Sequence, residues 1–215
     1  MDTRKVLAIV SPGAWIPGSD TEPAESMETR AVTLPSDEES NRGIRTRANL
    51  LGIPMVTAEE WLGGMVRGVP QVVRLSFAPY LPLMPGNPWG TMTDMRDRLT
   101  SLAGADRMAR TARTLFSAWD AGRCPARLDG HSLFMALRGM EEAIRLLESG
   151  TAELTPKATV APLRASRGLM GELEAAEAWE DAEARFRRAY YRSGLRRRVA
   201  SKDIRAVQRA IAEIM

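Results

Sequence analysis

The densest chemistry in this chain of 215 residues lies near its C-terminal end. There Arg185, Arg187, Arg188, Arg192, Arg196, Arg197, Arg198, Lys202, Arg205 and Arg209 surround Phe186, Tyr190 and Tyr191. Guanidinium forks pair with phosphate oxygens in a planar, bidentate way, and aromatic rings stack on bases. The composition therefore predicts a nucleic-acid-binding helix. Arg196, Arg197 and Arg198 would contact phosphate, Arg188, Arg192 and Lys202 would support them, and Tyr190 or Tyr191 would stack. The competing reading starts from the acids just upstream, Glu172, Glu174, Glu177, Glu180, Asp181 and Glu183. Folded against the patch, they would pair at i,i+4, as Asp181 with Arg185 and Glu183 with Arg187. Such pairs leave Arg196, Arg197 and Arg198 unabsorbed. An acidic protein surface or simple solvation would accommodate those three as well.

Catalytic templates find less support. With one histidine, His131, and one cysteine, Cys124, a zinc site of the usual Cys/His kind is excluded. The same two residues lie close in sequence, but nothing around them activates a thiol, so they read as an ordinary thiol and a loop histidine near a helix start. No GxxxxGK[ST] phosphate loop and no GxGxxG occurs. No pattern requires a cofactor.

One segment carries a family likeness. Residues 29–66 run T-R-A-V, then N-R-G-I-R-T-R-A-N-L-L-G-I-P-M-V-T-A-E-E-W-L. This resembles the second half of a BRCT domain, in which a strand precedes a basic helix and a Gly-Ile-Pro-type strand leads to a helix with a buried tryptophan. The resemblance implies that Trp61 is that tryptophan, that Arg42 or Arg45 is the phosphate-contacting cation, and that Ser11 with Gly13 makes the Ser/Thr-Gly phosphate contact. The chain departs from the family in having too few residues between its first strand and Thr29. Strand-helix-strand units ending like LGIPMVT are similar also to PIN-like nucleases, which hold Mg²⁺ or Mn²⁺ on several carboxylates at strand ends. Asp37 would fit one such position. The first strand has no acid, and Asp37, Glu38 and Glu39 equally suit a helix N-terminus.

The formal net charge is +3, and it is unevenly spread. Residues 1–60 carry 6 basic against 10 acidic side chains, residues 61–130 carry 9 against 5, and residues 131–183 carry 5 against 10. Residues 184–215 carry 10 against 2, so the positive charge sits at the end. Only Lys5, Lys157 and Lys202 are lysines among 30 basic residues, a bias that favours bidentate partners and that GC-rich coding also produces. No stretch approaches the ~20 apolar residues that span a bilayer. The lone cysteine and the short apolar run at residues 6–10 predict a cytoplasmic, virion-associated or nucleoid-associated protein without a membrane partner.

The elements that must hold these groups follow from periodicity. Residues 5–10 and 29–34 read as strands, and Ser36 opens a helix that closes at Gly52. Residues 53–56 read as a third strand. Thr57 with Glu60 forms a capping box for a helix through Met65. Residues 69–75 read as a fourth strand. Residues 77–90 hold four prolines and two glycines, which predicts an ordered connection without regular structure and a domain boundary. Helices follow over residues 91–103, 105–121 and 132–148, the last ended by Gly150. Residues 151–160 read as a loop, Pro162 as the first turn of one long helix toward Ser193, and Ser201 as the cap of a final helix striped by Ile204, Val207, Ile211 and Ile214.

The fold class is thus α+β: a small mixed unit at residues 1–76, the connection at 77–90, and a helical domain at 91–215. The function read from these features is binding rather than catalysis, in a packaging, nucleocapsid-like or DNA-maintenance protein. The alternatives are a self-associating assembly protein of a phage or virus, using the Met-rich helices between Met92 and Met140, and a metal-dependent PIN-like nuclease.

Overall fold

A computed structural model describes residues 6–10, 30–33, 55–82, 86–122 and 129–214. The architecture is α+β, with a small strand-and-helix unit leading into a mainly helical C-terminal part. Strands β1 (Val6–Val10), β2 (Arg30–Thr33) and β3 (Met55–Thr57) arise where the sequence places apolar runs. With β4 (Tyr80–Pro82) they form a sheet in the order β3-β2-β1-β4. β1 pairs antiparallel with both β2 and β4, and β2 pairs parallel with β3. The register of β1 slips between Val6 and Ala8, where β1 gains a residue relative to Thr33 and Val32. The helix expected after Ser36 lies outside the described residues.

Helix α1 (Ala58–Arg67) starts as its sequence dictates. Thr57 Oγ1 accepts from the Glu60 amide at 3.1 Å, and the Thr57 amide donates to Glu60 Oε2 at 2.8 Å. Residues 69–75 are not a strand. They belong to α2 (Pro70–Phe77), with Pro70 in the first turn, where its fixed φ suits a helix and its missing N–H costs nothing. The place of the fourth strand is taken by β4, inside the Pro/Gly-rich connection expected to be irregular. β4 lies at the sheet edge, which tolerates Pro82. The same connection ends in α3 (Pro88–Thr93), capped by Asn87, whose side chain also donates to the Tyr80 hydroxyl at 2.8 Å.

The helix expected over residues 91–103 is broken. α3 stops at Thr93, a 3₁₀ turn covers Arg96–Leu99, and α4 (Leu102–Asp120) begins afresh on Ser101. Ser101 Oγ accepts from the Gly104 amide at 3.1 Å, a capping bond that favours a new start over continuation. α5 (Asp129–Ser149) ends at Gly150, which has a φ of 73°. The expected loop at residues 151–160 is half helix, because α6 (Pro156–Ser166) starts there on a Thr155 cap. Pro162 therefore lies inside α6 and not at the head of a long helix. Gly168, at a φ of 64°, then separates α6 from α7 (Glu172–Arg192). The chain closes with α8 (Ser201–Ile214).

The core is built around Trp61, Met65, Leu75, Trp89, Met92, Leu99, Met108, Leu137, Met140, Ile144 and Leu146, all fully buried. Trp61 donates its indole N–H to Ser76 Oγ at 2.7 Å and meets Trp89 edge to face at 5.6 Å. α5 is the hub, packing on α4, α6 and α7. It approaches α4 closely because small residues face each other there, as Gly139 faces Ala112. α8 lies against α1 and α3.

A second close approach ties the front of the molecule to α4. Gly68 ends α1 at a φ of 66°, and a Cβ added there would sit 2.3 Å from the Gly104 Cα. Gly68→Ala is therefore expected to cost more than the roughly 1–2 kcal/mol of a left-handed alanine, because backbone must also move. Gly150→Ala, also left-handed but in open space, should cost only that smaller amount. Urea unfolding midpoints of the two variants check the difference, and equal effects would remove the close-packing argument.

Candidate nucleic-acid interface

α7 divides its surface by residue type. Ala175, Trp179, Ala182, Phe186 and Ala189 face the core, and Trp179 stacks on Phe116 of α4 with ring centroids 4.3 Å apart. Three of its acids, Glu174, Asp181 and Glu183, are engaged by arginines. Glu174 pairs with Arg164 of α6. Glu183 takes a bidentate pair from Arg113 of α4, at 2.6 and 2.9 Å, and the Arg113 guanidinium also lies over the Phe186 ring. Arg185 bridges Asp181 on its own helix, at 2.8 Å, and Glu141 of α5. Hydrogen bonding to Glu183 holds Arg113 above its ordinary pKa despite burial, and hydrogen bonding to Glu141 does the same for Arg185.

Of the two i,i+4 pairs expected to neutralise the basic patch, Asp181 with Arg185 forms. Glu183 with Arg187 does not, because Glu183 is taken by Arg113. Arg187, Arg188 and Arg192 are exposed and have no ion partner among the described residues. Arg192 also complements the C-terminal end of the helix dipole.

The connection from α7 to α8, residues 193–200, is held at several points. Ser193 Oγ donates to the Leu147 carbonyl at 2.8 Å, and Leu195 and Val199 pack against the core. The amides of Leu102 and Ala103, in the first turn of α4, donate to the carbonyls of Arg196 and Arg197 at 2.9 and 3.2 Å. Two N–H groups that a helix start leaves without intrahelical partners thereby fix the backbone of the arginine run. The Arg196 side chain turns to Asp203, a buried acid in the first turn of α8. Arg197 and Arg198 are exposed and have no ion partner among the described residues.

α8 continues the pattern. Asp203, Val207 and Ile211 are buried, whereas Lys202, Arg205 and Arg209 are exposed at spacings of three and four residues, which puts them on one face. An eight-residue connection, which reaches at most about 29 Å, joins the cations of α8 to those that end α7.

The structure thus leaves Arg188, Tyr191, Arg192, Arg197, Arg198 and Lys202 open to solvent. Arg196 is exposed too but is paired with Asp203, and Tyr190 is half-buried, its ring 6.0 Å from Phe186. Arg187, Arg205 and Arg209 join the exposed set. The helical stripe of Val207 and Ile211 was the signal for the last two. Ser11, Gly13, Arg42 and Arg45 lie outside the described residues, as do Asp37 and Cys124. His131 is exposed on the first turn of α5. Among the described residues no group of three or more His, Cys, Asp or Glu is placed to hold a metal ion, and no helix is long and apolar enough to cross a membrane. No family model, curated protein or solved structure matches the chain.

Proposed function

We propose that this chain is a non-catalytic nucleic-acid-associated protein. It holds the sugar-phosphate backbone through the last turns of α7, the 193–200 connection and α8. One observation carries the reading. Arg187, Arg188, Arg192, Arg197, Arg198, Lys202, Arg205 and Arg209 are all exposed without an ion partner among the described residues, although acids stand immediately upstream. Three of the six acids, Glu174, Asp181 and Glu183, are directed to Arg164, Arg185 and Arg113, and none of the six pairs with the exposed cations among the described residues. Clustered, unneutralised guanidiniums raise the local concentration of polyanions and release counterions from phosphate when they bind. The pinned backbone at Arg196 and Arg197 lowers the ordering cost of presenting the neighbouring side chains.

Titration of fluorescently labelled DNA and RNA oligonucleotides at low salt tests the reading. Saturable binding is expected. Absence of binding to any of them would remove nucleic acid as the ligand and direct attention to an acidic protein surface.

A further inference from the structure

Building on that reading, we propose that the ligand is single-stranded, with Tyr191 as the platform on which one base stacks. Tyr191 is 88% exposed, the largest exposure of any large apolar or aromatic residue among the described ones. Its ring meets that of Tyr190 edge to face, with centroids 6.1 Å apart and planes at 89°. Tyr190 in turn packs against the core, so the exposed ring stands beside a fixed one. Arg187 precedes Tyr191 by one helical turn, and Arg188 and Arg192 flank it on the adjoining row, about 6 Å apart along the axis. An open aromatic ring bordered by guanidiniums with no ion partner among the described residues has the two elements of a single-strand site: a π-face for the base and cations for the phosphates on either side.

The charge along α7 argues against a duplex. Glu180 and Glu177 are exposed roughly two and three turns upstream of Arg187. A stiff duplex laid along the helix would bring phosphates against them, whereas a flexible strand can turn toward the connection and α8. In a duplex, moreover, the faces of the bases are covered by their neighbours, and a tyrosine on a convex helix surface has nothing to stack on.

The test is fluorescence anisotropy with a deoxyribose strand, a ribose strand and a duplex of equal length, using the wild-type chain, Tyr191→Ala and Tyr191→Phe. Tyr191→Ala is expected to weaken binding of the single strands by about 5- to 150-fold and to leave the duplex unaffected, while Tyr191→Phe keeps wild-type affinity. A larger effect on one sugar identifies the strand. Because the ring is exposed, the unfolding midpoint of either variant should equal that of the wild type, which separates stacking from folding. Unchanged single-strand affinity in Tyr191→Ala, or equal weakening on strand and duplex, would overturn the stacking proposal while the phosphate-binding reading stands. Failure of the wild-type chain to bind any of the three would overturn both.

Discussion

Replacing Glu142 with alanine is expected to lower the unfolding free energy by about 3–5 kcal/mol, a large part of the stability of an ordinary domain. Glu142 is 1% exposed, and its carboxylate accepts from two guanidiniums. Arg74 of α2 pairs with it bidentately, at 2.7 and 2.8 Å, and Arg138 donates to Oε1 at 2.8 Å from one turn away on α5. Burial by itself pushes the Glu142 carboxyl up, but Arg74 and then Arg138 outweigh it and hold the group below its ordinary range. A carboxylate depressed in the folded state stabilises fully above its unfolded pKa, and that contribution fades as pH falls through the folded value. Glu142→Gln should therefore flatten the acid limb of the stability profile while costing less than alanine. The cost arises from two buried cations deprived of their shared anion, not from a large net gain by the triad. Urea unfolding across pH checks both variants. A decrease below about 1 kcal/mol for Glu142→Ala would show that the triad is not the tie between α2 and α5.

The second large effect is on binding. Changing Arg188, Arg192, Arg197 and Arg198 together to Gln should reduce the slope of log affinity against log salt by about 3 for a single strand, near 0.7 for each phosphate no longer neutralised. All four are exposed without ion partners among the described residues, so the fold and its midpoint should be preserved. Arg196→Gln should behave differently, because Arg196 is engaged by Asp203. It should disturb the start of α8 and change the slope by less than one phosphate's share. An equal slope for the wild type and the fourfold variant would place the phosphate-binding groups elsewhere.

How far the sequence reveals these features depends on the distance between partners. Thr57 and Glu60 lie three residues apart, and their capping box is readable because both halves are local. The long apolar periods of α4 and α5 are equally plain. Residues 69–75 mislead because Val72, Val73 and Leu75 suit a strand, while the partner that holds Arg74 in a helix, Glu142, is 68 residues away. The interface shows the same division. Clustering of arginines is visible at once, but which of them remain open depends on Arg113, 70 residues before Glu183. Asp203 is near Arg196 in sequence, yet the turn that joins them is built from the Leu102 and Ala103 amides, far away along the chain. Pro162 looks like a helix start because α6 is only 11 residues long, and its own start at Pro156 looks like loop.

The most direct measurement is the affinity of the wild-type chain for a labelled single strand across a salt series. If exposed arginines of α7, the 193–200 connection and α8 hold phosphate, log affinity falls linearly with log salt, with a slope near −0.7 for each phosphate neutralised. A flat dependence, or no binding at the lowest salt, would contradict the account.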